Sequence, residues 1–162
     1  NSGDKPMHEI EQIIEGYRAQ IGEVLGVTEE FTIRQSEIDV FGAVTQNIDP
    51  MHNDPEWGKD GPWGSTIVHG LFLLSYVAKF WKESGVPIYT TEKMYSLNYG
   101  FNRVRFISPF LVDVPARATI RLLDVEDKGP GRFLLPSEIT VNQEGSKKPN
   151  MIAELLAMIV CT

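Results

Sequence analysis

H-G-L-F-L-L-S-Y-V-A-K-F-W-K-E-S, residues 69–84, is the most apolar helical pattern in the chain. Leu71, Phe72, Leu74, Tyr76, Val77, Ala78, Phe80 and Trp81 leave little polar surface in its first three turns. A helix apolar nearly all round is a buried one. Gly85 and Pro87 end it, because glycine accepts the left-handed cap and proline cannot continue a helix. Past residue 90 the apolar period changes to two, the period of strands. Residues 94–107 predict one long strand. In 112–124, Val114, Ala116, Ala118, Ile120 and Leu122 alternate with Arg117, Thr119 and Arg121. In 132–142, Phe133, Leu135, Ile139 and Val141 share a face, and Pro136 predicts an edge position or a bulge. Residues 151–161 are apolar on both faces apart from Glu154, which suits a central or interfacial strand. The connections D-K-G-P-G and Q-E-G-S-K-K-P-N are short and rich in turn formers, so an antiparallel meander is expected. One buried helix followed by a long antiparallel sheet gives an α+β domain, with the sheet wrapped around the helix.

Upstream of the helix, V-T-Q-N-I-D-P-M-H-N-D-P-E-W-G-K-D-G-P-W-G-S-T-I-V-H-G-L, residues 44–71, mixes histidines, acids, prolines and glycines between two apolar patterns. Asp54-Pro55 predicts a short helical turn with Asp54 as its cap. Gly58, Gly61, Pro62 and Gly64 predict a loop after it. Residues 46–54 read as irregular, because Asp49-Pro50 forces an extended or turn geometry. Ser36, with Asp39 three residues on, predicts the cap of a helix that stops near Thr45. Phe31–Arg34 is a short strand candidate. Ile10, Ile13, Ile14, Tyr17, Ile21 and Leu25 mark one face of a helix over 8–25, ended near Gly22 and Gly26. The opening Asn-Ser-Gly has the look of an expression remnant. The organisation expected is a helical extension over 1–30 and one domain over 31–162.

Composition bounds the function. At 162 residues the chain suits one domain with a proper core. Its net charge of −7, with no offsetting Lys/Arg run, argues against nucleic acid as a partner. The lone Cys161 can form neither an internal disulfide nor a cysteine zinc site, which favours a reducing, cytoplasmic compartment. No apolar run approaches the roughly 20 residues of a membrane span, and no signal-peptide pattern is present.

Two places carry chemistry. His52 sits among amides and carboxylates, and its imidazole can take or give a proton near neutral pH. It reads either as a substrate-facing base or as a hydrogen-bonded loop histidine. His69-Gly70 stands at a helix start, where unpaired N–H groups and a close backbone approach can hold a developing oxyanion. It reads equally as a plain helix start. His52, Asp49, Asp54 and His69 match no standard metal spacing, so no metal is expected. Ser65 lacks a nucleophile elbow, Cys161 lies in a terminal apolar strand, and no dinucleotide fingerprint follows a strand, so no cofactor is expected.

Asn47-Ile-Asp-Pro-Met-His52-Asn-Asp54, followed by Ile67-Val-His-Gly70 at the buried helix, resembles the MaoC-like hydratases, a family of hot-dog fold. These include the R-specific enoyl-CoA hydratases and the nodulation N-like dehydratases. The resemblance runs from about residue 31 to the end and includes Asn98-Tyr-Gly-Phe-Asn-Arg-Val-Arg-Phe106. It implies reversible addition of water to a trans-2-enoyl thioester, carried on coenzyme A or a carrier protein, and units joined edge to edge in a homodimer. It places the family's histidine on His52, the oxyanion N–H on Gly70 and the catalytic aspartate on Asn47. Asp49, Ile67 and Val68 then become substrate-facing neighbours. The amide at 47 departs from the family pattern, since it can orient a water but cannot accept its proton at neutral pH. Two alternatives to the enzyme follow: a protein that binds acyl thioesters with the chemistry impaired and, less favoured, a thioesterase. Arg103 and Arg105 read as solvated charges, or as groups that meet phosphates.

Overall fold

The computed structural model describes residues 4–85 and 90–161, with side chains from residue 10 onward. The opening tripeptide and Pro87 lie outside the described residues. Helix α1 (Asp4–Arg18) buries Ile14 and Tyr17 against the core. It is shorter than its apolar pattern predicts. Gly22, at φ 87°, turns the chain, and Val24–Val27 becomes strand β1. Ile21 and Leu25 therefore leave the helix face assigned to them. The strand expected at Phe31–Arg34 contributes only a bridge from Phe31 to Ala116.

Helix α2 (Gln35–Thr45) is capped from Arg34, whose N–H donates to the Glu37 carboxylate at 2.7 Å. The reciprocal pair expected at Ser36 and Asp39 is thus displaced by two residues. Helix α3 (Pro50–Asn53) occupies the segment read as irregular. Asp49-Pro50 starts this helix by the arrangement seen at Asp54-Pro55, with Asp49 accepting the Met51 N–H at 3.0 Å. Helix α4 (Pro55–Asp60) follows, and Asp54 caps it as expected.

The central helix is present as α5 (Gly70–Ser75) and α6 (Val77–Glu83). They meet at Tyr76, whose N–H reaches back to Leu73 O in a tightened turn. Leu73, Val77, Phe80 and Trp81 are buried, whereas Leu71 is 65% exposed and Ala78 is exposed. The helix is therefore apolar all round but buried on one face only. Gly85, at φ 79°, supplies the left-handed cap.

The sheet contains β2 (Met94–Phe106), β3 (Ala116–Leu122), the two-residue β4 (Glu126–Asp127), β5 (Arg132–Gln143) and β6 (Met151–Cys161), in the order β1-β3-β5-β6-β2, with β4 on β5. Every pairing is antiparallel. The expected meander holds only from β3 through β5 to β6. β2 pairs with β6 and not with its sequence neighbour β3. The reason lies in residues 107–115, which form no tight turn. They pass along the segment before α5, where Val68 N–H donates to Phe110 O at 2.7 Å and Val112 N–H to Thr66 O at 3.2 Å. Those bonds satisfy backbone groups on both segments and carry the chain to the far side of the sheet. β6 is central, as its two apolar faces predict.

Pro136 sits not at an edge but at an irregularity, where the register on the β3–β4 side shifts by one residue between Leu122 opposite Ser137 and Glu126 opposite Leu134. It lies in the interior strand β5, opposite Leu156, where the other side of the ladder breaks between β3 and β4. Its carbonyl accepts from Leu123 on that side, so its missing N–H falls at the break.

Ala116, Ala118, Ile120 and Leu122 of β3, with Leu135, Ile139 and Val141 of β5, face the core, while Arg117 and Arg121 face out. Phe31 ties the helix to this layer, with ring centroids 5.0 Å from Phe80 and 6.1 Å from Phe110. Gly58 lets α4 lie against the segment leading into α5. A Cβ there would stand 2.6 Å from Thr66 N and 2.8 Å from the Ser65 carbonyl carbon. Gly58→Ala should therefore destabilise the fold by about 1–3 kcal/mol, the range for overpacking. A urea midpoint unchanged from wild type would show that the loop yields freely.

Candidate active site

The residues around His52 are fixed from several sides. Gln46 adopts a left-handed conformation, φ 57°, and the next residue's N–H donates to Gly42 O at 2.9 Å. Gly42 admits this return, since a Cβ there would lie 3.1 Å from Asn47 O. Gln35 of α2 spans the two halves of the site. Its Nε2 donates to His52 O at 2.8 Å, and its Oε1 accepts from Thr66 Oγ1 at 2.6 Å. Ile67 N–H donates to Met51 O at 2.9 Å. The short helix bearing His52 is thereby laced to the extended segment that enters α5.

Backbone carbonyls only accept, so each ring contact with one assigns a tautomer. His52 Nδ1 lies 2.7 Å from Ile67 O and must carry the proton. In the neutral ring, Nε2 is then a bare lone pair. His69 Nε2 lies 2.9 Å from Asn47 O and must likewise be N–H. Its Nδ1 is buried without a partner. The two imidazoles stack, with centroids 3.9 Å apart and planes 25° apart. His69 is 2% exposed, and burial, with a smaller contribution from the charge of His52, pushes its pKa below the ordinary histidine value. Burial thereby favours its neutral form relative to a solvated histidine.

A cavity of about 280 Å³ opens beside this pair. His52, Ile67, Val68 and Gly70 line it, facing Phe106 and Phe110. Gly70 is the first residue of α5, so its N–H has no acceptor within the helix. A Cβ on Gly70 would stand 3.0 Å from the Phe106 ring, so glycine leaves room between backbone and wall. Of the residues singled out in the sequence, the structure brings His52, Ile67, Val68 and Gly70 to one cavity. Asn47 and Asp49 are not among its walls. Asn47 meets His69 through its carbonyl, and the Asp49 carboxylate accepts from Met51 N–H.

Sequence reasoning treated His69 as a helix entry and as a possible metal ligand, and missed its stack on His52. It also missed Phe106 and Phe110 as walls, because nothing local marks a strand aromatic as pocket-facing. Among the described residues, no group of three His, Cys, Asp or Glu side chains is placed to hold a metal. No helix among them is long and apolar enough to cross a membrane. Burial pushes the Cys161 thiol up, away from thiolate character.

A helix cradled by one curved antiparallel sheet, with a cavity at the helix entry, defines a hot-dog fold. The profile of the MaoC like domain matches residues 17–133, and the chain belongs to that family. It is 36% identical over 143 residues to 3-hydroxyacyl-thioester dehydratase Z of Mycobacterium tuberculosis (strain ATCC 25618 / H37Rv), covering 88% of this chain and 92% of the relative. It is 32% identical to nodulation protein N of Rhizobium leguminosarum bv. viciae, covering 94% and 93%. Among solved structures, a monoamine oxidase regulatory protein from Archaeoglobus fulgius superposes with a TM-score of 0.73 at 22% identity, over 88% of this chain and 92% of that one.

Proposed function

We propose that the protein reversibly adds water across the double bond of a trans-2-enoyl thioester. The observation that carries this is the His52 ring. Its Nδ1–H is held by Ile67 O, so the Nε2 lone pair remains free in a ring that lines the same cavity as the Gly70 backbone. His52 takes a proton from water as the water oxygen bonds to the β-carbon. The electrons of the double bond shift toward the thioester oxygen, where Gly70 N–H donates to the developing charge. The proton on Nε2 then passes to the α-carbon, and the neutral imidazole is restored. We assign Asn47, exposed in the turn that His69 holds and outside the cavity walls, to orient the water once substrate is bound, in the role that a carboxylate fills in the family. The dehydratase relative and its extensive coverage support this substrate class. In this reading the domain spans 31–162, and residues 1–30 extend it, lending β1 to its sheet.

The direct test is to mix the protein with crotonyl-CoA and follow the conjugated enoyl-thioester absorbance. Its decay to an equilibrium value is the expected result. Binding without decay would favour an acyl-thioester binding protein.

A homodimer belongs to the same proposal. β2 is an edge strand, and Leu97, Tyr99 and Phe101 along it are exposed by 51%, 66% and 38%. An unpaired edge bearing that much apolar surface is a template for pairing with a second copy. Light scattering at micromolar concentration should give twice the chain mass, and a monomer would refute the pairing.

A further inference from the structure

We propose that His69 is a positioning residue that holds the Asn47 main chain and the His52 ring in one arrangement. The role in turnover rests on reading His52 as the base. His69 packs against two rings, with His52 stacked on it at a centroid distance of 3.9 Å and Phe41 tilted against it at 5.1 Å. From that position its Nε2–H donates to Asn47 O at 2.9 Å. The arrangement needs a flat ring and a donor in the same side chain. Phenylalanine would supply the plate and leave the Asn47 carbonyl without its donor. Glutamine would supply a donor and leave the His52 ring without a face to rest on. Imidazole supplies both, at the expense of a buried Nδ1 with no partner. An orphan acceptor at a site 2% exposed is a burden that packing alone gives no reason to keep. The lowered pKa supports the same role, since a neutral plate does not oppose proton uptake on the ring it backs.

The links run to both halves of the site. Asn47 N–H is tied to Gly42 O, Asn47 O to His69, and His69 to His52 through the stack. His69 also immediately precedes Gly70, whose backbone lines the cavity. One side chain thus sets the spacing between the Asn47 turn, the base and the helix entry.

The test compares wild type with His69→Phe and His69→Gln by amide hydrogen exchange and by crotonyl-CoA hydration. In His69→Phe the Asn47 amide should exchange about three- to tenfold faster, the effect of one lost hydrogen bond, while sheet amides such as Ile139 keep their wild-type rates. In His69→Gln the Asn47 amide should stay near wild type. For hydration, kcat should fall about 10- to 100-fold in His69→Phe with KM little changed, and His69→Gln should recover part of the loss. Uniform acceleration of all amides would mean a merely structural role and would overturn the proposal, as would an Asn47 amide unaffected by His69→Phe. A wild type that hydrates nothing would remove the base reading, while the exchange arm would still decide whether His69 holds the turn. If His69→Phe does not fold, the ring nitrogen shifts of His52 in His69→Gln decide. Doubled or broadened His52 ring signals are expected there, and one sharp set would refute the stack's part.

Discussion

His52→Ala is expected to lower the hydration rate by about 10²–10⁴-fold, the usual effect of removing a general base. The structure makes this a clean loss, because His52 is half-buried beside a cavity and contributes little to the core. Its ring hydrogen-bonds Ile67 O and stacks on His69, so truncation removes one hydrogen bond and one ring contact. Steady-state kinetics with crotonyl-CoA would check the size of the fall, and a thermal melt near that of wild type would confirm that the loss is chemical. Activity within a factor of three of wild type would move the base elsewhere. Asp49 is then the carboxylate to examine. Asp49→Asn would keep the cap of α3, because asparagine caps as well as aspartate, while removing the charge.

Asn47→Asp is expected to raise hydration by one or more orders of magnitude. Amide and carboxylate are close in shape, but only the carboxylate can accept a proton at neutral pH. The main chain at 47 is held at both ends, by Gly42 O and by His69 Nε2, so the substitution should leave the turn in place. If the exposed side chain at 47 reaches the water once substrate is bound, a second proton acceptor there would share the work proposed for His52, within the 10²–10⁴-fold range for such a group. The check is kcat for the native protein and the variant on the same enoyl thioester. If the native protein is already fast and Asn47→Asp changes nothing, the assignment of position 47 is wrong. If both forms bind an enoyl thioester and neither hydrates it, the protein is a binder.

The chain by itself determined what depends on neighbours in sequence. The change of apolar period near residue 90 separates helix from sheet; β3 and β5 lie where the alternation puts them, and β6 where the run apolar on both faces does. Asp54-Pro55 starts a helix because an acceptor side chain and a fixed φ act within one turn. His52 and Gly70 stand out for similar reasons, as a protonatable group in a polar turn and a residue without Cβ at a helix start. Only the tertiary structure decided matters of long-range pairing. β2 joins β6 because residues 107–115 find their partners in the segment before α5, and no local pattern announces such a partner. Val24–Val27 becomes a strand because β3 offers it an edge, overriding a helical spacing that continued to Leu25. Leu71 is apolar yet exposed because the sheet covers one side of the helix, and hydropathy carries no record of which side. The stack of His69 on His52 joins two elements at 3.9 Å, a distance set by the bonds from Gln35, Ile67 and Asn47 and by no spacing in the sequence.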